Sequence, residues 1–352
     1  MRPDPAMLGL TVAELRACDD AIRTGSRSFH AASSLLPRDV RTAARALYAF
    51  CRASDDEVDE GEADPLDDLR RRLDAIYAGR PADTLADRAF AGVVQAHRIP
   101  RALPDAMLEG FAWDRAGRRY PDLDSVLGYA ARVASTVGVM MTLVMGRRDA
   151  RLLARAADLG LAMQLTNIAR DVGEDARAGR LYLPADWLRE EAIEPDAFRA
   201  APRFTPALGR VTGRLLATAD RLYARGLTGA KGLPLGCRPA IRSAGLIYRE
   251  IGRKVAAAGF DSVSARAVTD RRRKLALIAR AAALPALATA VDASPPDPSV
   301  AFLVDAAAAP GGEPVGLGES VARFLELQAI AAARRSAPLT DASPTDTDLA
   351  RA

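Results

Sequence analysis

Lysine is almost missing from this chain: of 49 basic residues, only Lys231, Lys254 and Lys274 are not arginine. Histidine occurs twice, at His30 and His97, too seldom and too far apart for a catalytic or metal-binding pair. The three cysteines, Cys18, Cys51 and Cys237, have no paired spacing, which argues against both a disulfide framework and a zinc site and fits a reducing cytoplasm. Aromatic residues make up 5% of the chain, and the formal charge of +4 (49 basic minus 45 acidic residues) is spread among interspersed signs. Without a basic-aromatic platform there is no case for nucleic acid as a partner. The start, Met1-Arg2-Pro3-Asp4-Pro5, lacks the charged-then-apolar profile of a secretory leader. The longest apolar stretches, Val133 to Gly146 and Leu275 to Val291, are too short for a span or are broken by Arg280 and Pro285, so no helix is expected to cross a membrane. No glycine-rich dinucleotide fingerprint follows a strand, and no nicotinamide cofactor (NADPH) is expected.

What the chain has is alanine, leucine and helical periodicity. Of its 352 residues 49% are hydrophobic, and strand-like alternation of β-branched and aromatic residues is missing, which predicts an all-α fold. Turn signals at Leu36-Pro37, Gly79-Arg80-Pro81, Tyr120-Pro121, Gly146-Arg147, Leu183-Pro184 and Gly232-Leu233-Pro234 divide a helical pattern running from Thr11 to about Leu284. From about Ser294 the composition shifts to Pro, Ala, Gly, Ser and Asp. The expected organisation is a single helical domain over 1–290 and a variable tail over 291–352, with one amphipathic run at Val321 to Ala332 and disorder after Ser336.

Two acidic motifs carry the chemistry. Asp55-Asp56-Glu57-Val58-Asp59 and Asp171-Val172-Gly173-Glu174-Asp175 each place aspartates four residues apart, on one helix face and within about 5–6 Å. Such pairs suit Mg²⁺ or Mn²⁺, hard ions that take one or two carboxylates plus substrate phosphates. An acidic run is most often a solvated face. Here, however, each motif continues an apolar stretch, Ala46 to Cys51 and Leu159 to Leu165, where unpaired carboxylates are costly unless cations compensate them. Reading back from Asp171 gives Asn167 and Gln164, so Gln164, Asn167, Asp171 and Asp175 form one oxygen-bearing stripe. Arg170 and Glu174 lie on the neighbouring one.

The run from Leu159 to Asp175, continuing to Arg180-Leu181-Tyr182-Leu183-Pro184, resembles the second metal signature of the squalene/phytoene synthase family. Tyr129 to Gly138 resembles the family's other signature, and Tyr48-Ala49-Phe50-Cys51-Arg52 leading into Asp55 to Asp59 resembles its first metal motif. The resemblance covers roughly residues 20 to 280, in the family's order. It departs at Ala131 and Ser135, where many relatives carry Tyr and Gly; both are expected near the cavity.

That resemblance implies an isoprenoid (terpenoid) synthase fold around a central cavity and head-to-head joining of two prenyl diphosphate substrates. It implies metal ligation by Asp55, Asp59, Asn167, Asp171 and Asp175, with Gln164 completing the site. Arg52, Arg170 and Arg180 would meet phosphate, Ser26, Arg27, Ser28 and Phe29 would line the diphosphate end, and Tyr48, Tyr129 and Tyr248 would face the cation. Taken singly, Ser26 and Ser28 could equally be helix caps, and Tyr48 and Tyr129 core residues. The run Leu108 to Asp114 and the Ala49 to Arg52 context look closer to carotenoid enzymes. They imply phytoene formation from two geranylgeranyl diphosphates, with a downstream desaturase as a partner. The alternatives are a dehydrosqualene or squalene synthase using farnesyl diphosphate and, from another class, a non-catalytic assembly factor of the same fold. A cytoplasmic protein attached peripherally to the membrane surface is expected, by an apolar rim and the basic run Arg271 to Lys274.

Overall fold

A computed structural model describes residues 8–60, 65–283 and 290–308. These form fifteen α-helices, and no strand occurs among the described residues. In chain order they are α1 (Val12–Gly25), α2 (Arg27–Ser33), α3 (Arg38–Glu60), α4 (Pro65–Tyr77), α5 (Leu85–His97), α6 (Ala102–Arg115), α7 (Leu123–Ala130) and α8 (Thr136–Val144). There follow α9 (Ala150–Arg177), α10 (Ala185–Glu190), α11 (Pro195–Ala200), α12 (Pro206–Gly226), α13 (Arg238–Ala257), α14 (Arg271–Ala283) and α15 (Ala301–Ala308). Helix starts follow local chemistry. Thr11 and Asp122 make capping boxes with Glu14 and Ser125, and the side chains of Ser26, Thr84, Asp149 and Thr205 each accept a hydrogen bond from a free amide of the first turn.

Helix α9 is the central post, with 18 of its 28 residues buried. Helices α8, α12 and α13 pack around it, and α3 faces it across a cavity. Glycines permit the closest approaches: a Cβ on Gly160 would stand 2.6 Å from the Cα of Ser135, and one on Gly226 would stand 2.8 Å from the Leu159 nitrogen. Between α7 and α8 the helix widens into a π-helical turn, Ala131–Ser135. Ala131 and Ser135 are fully buried in this turn and neither lines the cavity; the Ser135 hydroxyl donates to the Ala157 carbonyl of α9 at 2.8 Å. The continuous run Leu123–Val144 is long and apolar enough to cross a membrane, with mean hydropathy 1.4, but 61% of that window is buried in the bundle, the packing of a core helix.

The described part of the expected tail packs on the bundle. Helix α15 lies against α9, α6 and α8, and the segment before it is tied down by buried Arg155, which reaches the Asp292 carboxylate at 2.5 Å. The run Val321 to Ala332 and everything after Ser336 lie outside the described residues.

Candidate active site

An elongated cavity of about 290 Å³ runs between α3, α8, α9 and α13. Along α9 it is lined by Leu152, Ala156, Leu159, Gly160, Met163, Gln164 and Asn167, the three- and four-residue spacing of one helix face. The same face continues through Asp171 to Asp175, so polarity changes stepwise from aliphatic to amide to carboxylate. At 1.5 Å per residue the face from Leu152 to Asp175 spans about 35 Å. Helix α3 repeats the order, with Ala44, Leu47, Tyr48 and Cys51 in the cavity wall and Asp55 and Asp59 following at four-residue steps. Helix α13 adds Ala240, Ile241, Ala244 and Tyr248. The cavity thus has an apolar body and a polar end where amides and tyrosines meet the acidic motifs.

At that end the second motif is held by arginines. Arg170 donates to both oxygens of Asp171, at 2.7 and 2.5 Å, and Arg266 donates to the same pair at 2.8 and 3.2 Å. Burial alone would raise the Asp171 pKa, but these hydrogen bonds prevail and hold it below the usual carboxylate range. Asp175 behaves oppositely. Burial, then the neighbouring Asp171 charge, push it up to about 7, although Arg180 pulls the other way. Arg266 arrives from a loop whose Val263 lies against Gly173; the Gly173 amide donates to the Ser262 carbonyl at 3.0 Å, and a Cβ there would stand 2.6 Å from the Val263 Cα.

The first motif is more open. Arg52 donates to Asp56 at 2.9 Å and lies 3.7 Å from Asp55. Glu57 is drawn away to Arg72, which also grips fully buried Asp87 at 2.6 Å. Helix α3 also carries Asp59, whose side chain lies outside the description, as does that of Arg27 on α2.

The oxygen donors suit a divalent ion. The Asn167 amide donates to Gln164 at 3.3 Å, while its buried Oδ1 has no hydrogen-bond partner, an arrangement costly without a cation or donor. Among the described residues no three carboxylate, imidazole or thiolate groups converge on one point. An ion here would complete its shell with Asn167, water and phosphate oxygens, as Mg²⁺ commonly does.

The remaining expected residues divide. Tyr48 and Tyr248 line the cavity, both with pKa raised by burial and therefore neutral hydroxyls, and Tyr248 packs on Phe29 with ring centroids 5.3 Å apart. Ser26 caps α2 by accepting from the Phe29 amide at 3.3 Å; Ser28 is partly exposed on the same helix and does not line the cavity. Tyr129 also lies outside the lining. It stacks on Tyr182 at 4.9 Å, and both hydroxyls donate to Asp114, at 2.7 and 2.6 Å. Arg266 and the Asp114 carboxylate are the members that motif reading missed.

The family profile described as squalene/phytoene synthase matches residues 22–276. The phytoene synthase of Rhodobacter capsulatus is 55% identical over 307 residues, covering 84% of this chain and 90% of that protein. That of Cereibacter sphaeroides is 53% identical over 313 residues, covering 84% and 88%. A crystal structure of a dehydrosqualene synthase in complex with ligand superposes with a TM-score of 0.71 at 29% identity, over 76% of this chain and 95% of that one. Fold, motifs and relatives agree: the chain belongs to the squalene/phytoene synthase family and has its isoprenoid synthase fold.

Proposed function

We infer that this protein is a prenyltransferase that joins two geranylgeranyl diphosphates head to head, through prephytoene diphosphate, to give 15-cis-phytoene and two diphosphates. The polarity gradient along α9 and α3 carries the reading: it seats hydrocarbon in the cavity body and diphosphate at the acidic end. Asp55, Asp59, Asn167, Asp171 and Asp175 would hold Mg²⁺ or Mn²⁺, which when bound neutralises charge on the departing diphosphates.

The chain's own groups do the rest. Arg52, Arg170, Arg180 and Arg266 meet phosphate oxygens, and Gln164 orients Asn167. Phe29, Tyr48 and Tyr248 present ring faces and neutral hydroxyls to an allylic cation, which their quadrupoles favour. The aliphatic wall excludes water, which would otherwise trap that cation as an alcohol. Ser26, Arg27 and Ser28 would border the diphosphate end, Ser26 and Ser28 from outside the cavity lining. Tyr129 acts one step back, holding Asp114 beside the second motif. The reaction ends by proton loss, so no hydride donor is consumed and NADPH leaves the product unchanged.

Substrate and product are too apolar to cross water freely. The protein works as a peripheral membrane enzyme, with exposed Val268 and Leu275 flanking Arg271 and Arg272 of α14 as the contact, and passes phytoene to a desaturase in the bilayer. A competition assay with equal geranylgeranyl and farnesyl diphosphate tests chain length. Phytoene should dominate; dehydrosqualene or squalene as the main product would reject the reading, and no product from either would favour a non-catalytic assembly factor.

A further inference from the structure

A second cleft, of about 190 Å³, shares no lining residue with the hydrocarbon cavity. It opens between the α6–α7 loop on one side and α10 with α11 on the other, and five arginines face three carboxylates around it. Its walls are fixed. The amides of Ala185 and Asp186 donate to the carbonyls of Tyr120 and Pro121, each at 2.9 Å, and Arg119 joins the loop to Asp196 of α11 at 2.7 Å.

The charges are unevenly satisfied. Asp196 serves both Arg119 and Arg199, and Asp114 accepts two tyrosine hydroxyls. Arg118 lies flat over Trp113, 3.6 Å from the ring centroid, with no carboxylate in salt-bridge range among the described residues. Exposed Arg189 has no ion-pair partner there either. Two planar cations on the cleft wall, neither neutralised by a carboxylate of the described residues, form a site for a compact oxyanion.

The cleft is linked electrostatically to the second motif. Arg180 and Asp114 line it, and both act electrostatically on Asp175 of the second motif. We propose that this cleft is a binding subsite for inorganic diphosphate on its way out of the enzyme, with Arg118 and Arg189 as its contacts. The choice of diphosphate over another oxyanion rests on the reaction inferred above, which releases two per turnover.

The test needs no turnover. Calorimetric titration of metal-free protein in chelator with inorganic diphosphate should give saturable binding, weakened about tenfold in Arg118→Ala/Arg189→Ala. Because Arg118 supports Trp113, the exposed substitution Arg189→Ala alone is the second variant, expected to weaken binding about threefold with unchanged thermal stability. Absence of saturable binding by the unaltered protein, or equal binding by both variants, would overturn the subsite even if phytoene is made. Phosphatidylglycerol vesicles form the other arm: if the substitutions abolish vesicle binding and leave diphosphate binding intact, the cleft serves lipid headgroups and the proposal fails.

Discussion

The two acidic motifs share a spacing but not an environment. Asp55 leaves 46% of its side chain exposed, with Arg52 at 3.7 Å; Asp171 is 14% exposed and gripped by two arginines from different parts of the chain. Asp171 is therefore held by the fold before any ion arrives, whereas Asp55 stands closer to solvent.

The largest effect should come from removing Asp171. Asp171→Ala deletes a proposed ligand and removes the carboxylate that Arg170 and Arg266 share, leaving Arg266 only Glu174 at 3.3 Å, so turnover should fall by at least about a hundredfold. Folding stability should drop by about 3 kcal/mol, as for breaking a largely buried ion pair. Circular dichroism and steady-state assays check both. Asp55→Asn should cost at least about tenfold in turnover while shifting stability by less than about 0.5 kcal/mol, as for an exposed substitution. Equal destabilisation by the two variants would erase the distinction between the motifs.

A smaller effect concerns Asp175. Its pKa of about 7 lies above the 3.8 of an ordinary aspartate, so the folded protein keeps a proton that the unfolded chain has lost between those values. In metal-free protein this group therefore favours folding more as the pH falls from about 7 toward 4, and a divalent ion takes over above 7, once the proton has left. The rise in melting temperature caused by Mg²⁺ should accordingly be larger near pH 8 than near pH 6; an equal or reversed rise would contradict the linkage.

A further substitution probes the loop behind the second motif, through stability alone. Gly173→Ala pushes a Cβ against the Val263 backbone and should displace Arg266, destabilising the protein by about 1–3 kcal/mol, measurable by chemical denaturation.

That glycine also marks the limit of what motif reading reveals. Helices and turns were legible because Leu36-Pro37, Gly79-Arg80-Pro81 and Gly146-Arg147 encode their breaks locally, and the α9 stripe because helical spacing is itself a geometry. Arg266 was not, since it lies 95 residues from its partner in a loop without periodicity. Its one local sign was a glycine inside an acidic helix, the mark of another backbone close by. Asp114 stands within the run Leu108 to Asp114 but has no role legible there, because the hydroxyls that define one, on Tyr129 and Tyr182, arrive from α7 and the loop after α9. The π-helical turn and the packing of α15 depend likewise on contacts across the bundle.

The two acidic motifs at one end of an apolar cavity would hold a divalent ion, which would stabilise the departing diphosphates. Product analysis of the purified chain with geranylgeranyl diphosphate, in Mg²⁺ and in chelator, tests this requirement: 15-cis-phytoene should form with Mg²⁺ and not with chelator, whereas phytoene formed at the same rate in both, or no hydrocarbon in either, would refute it.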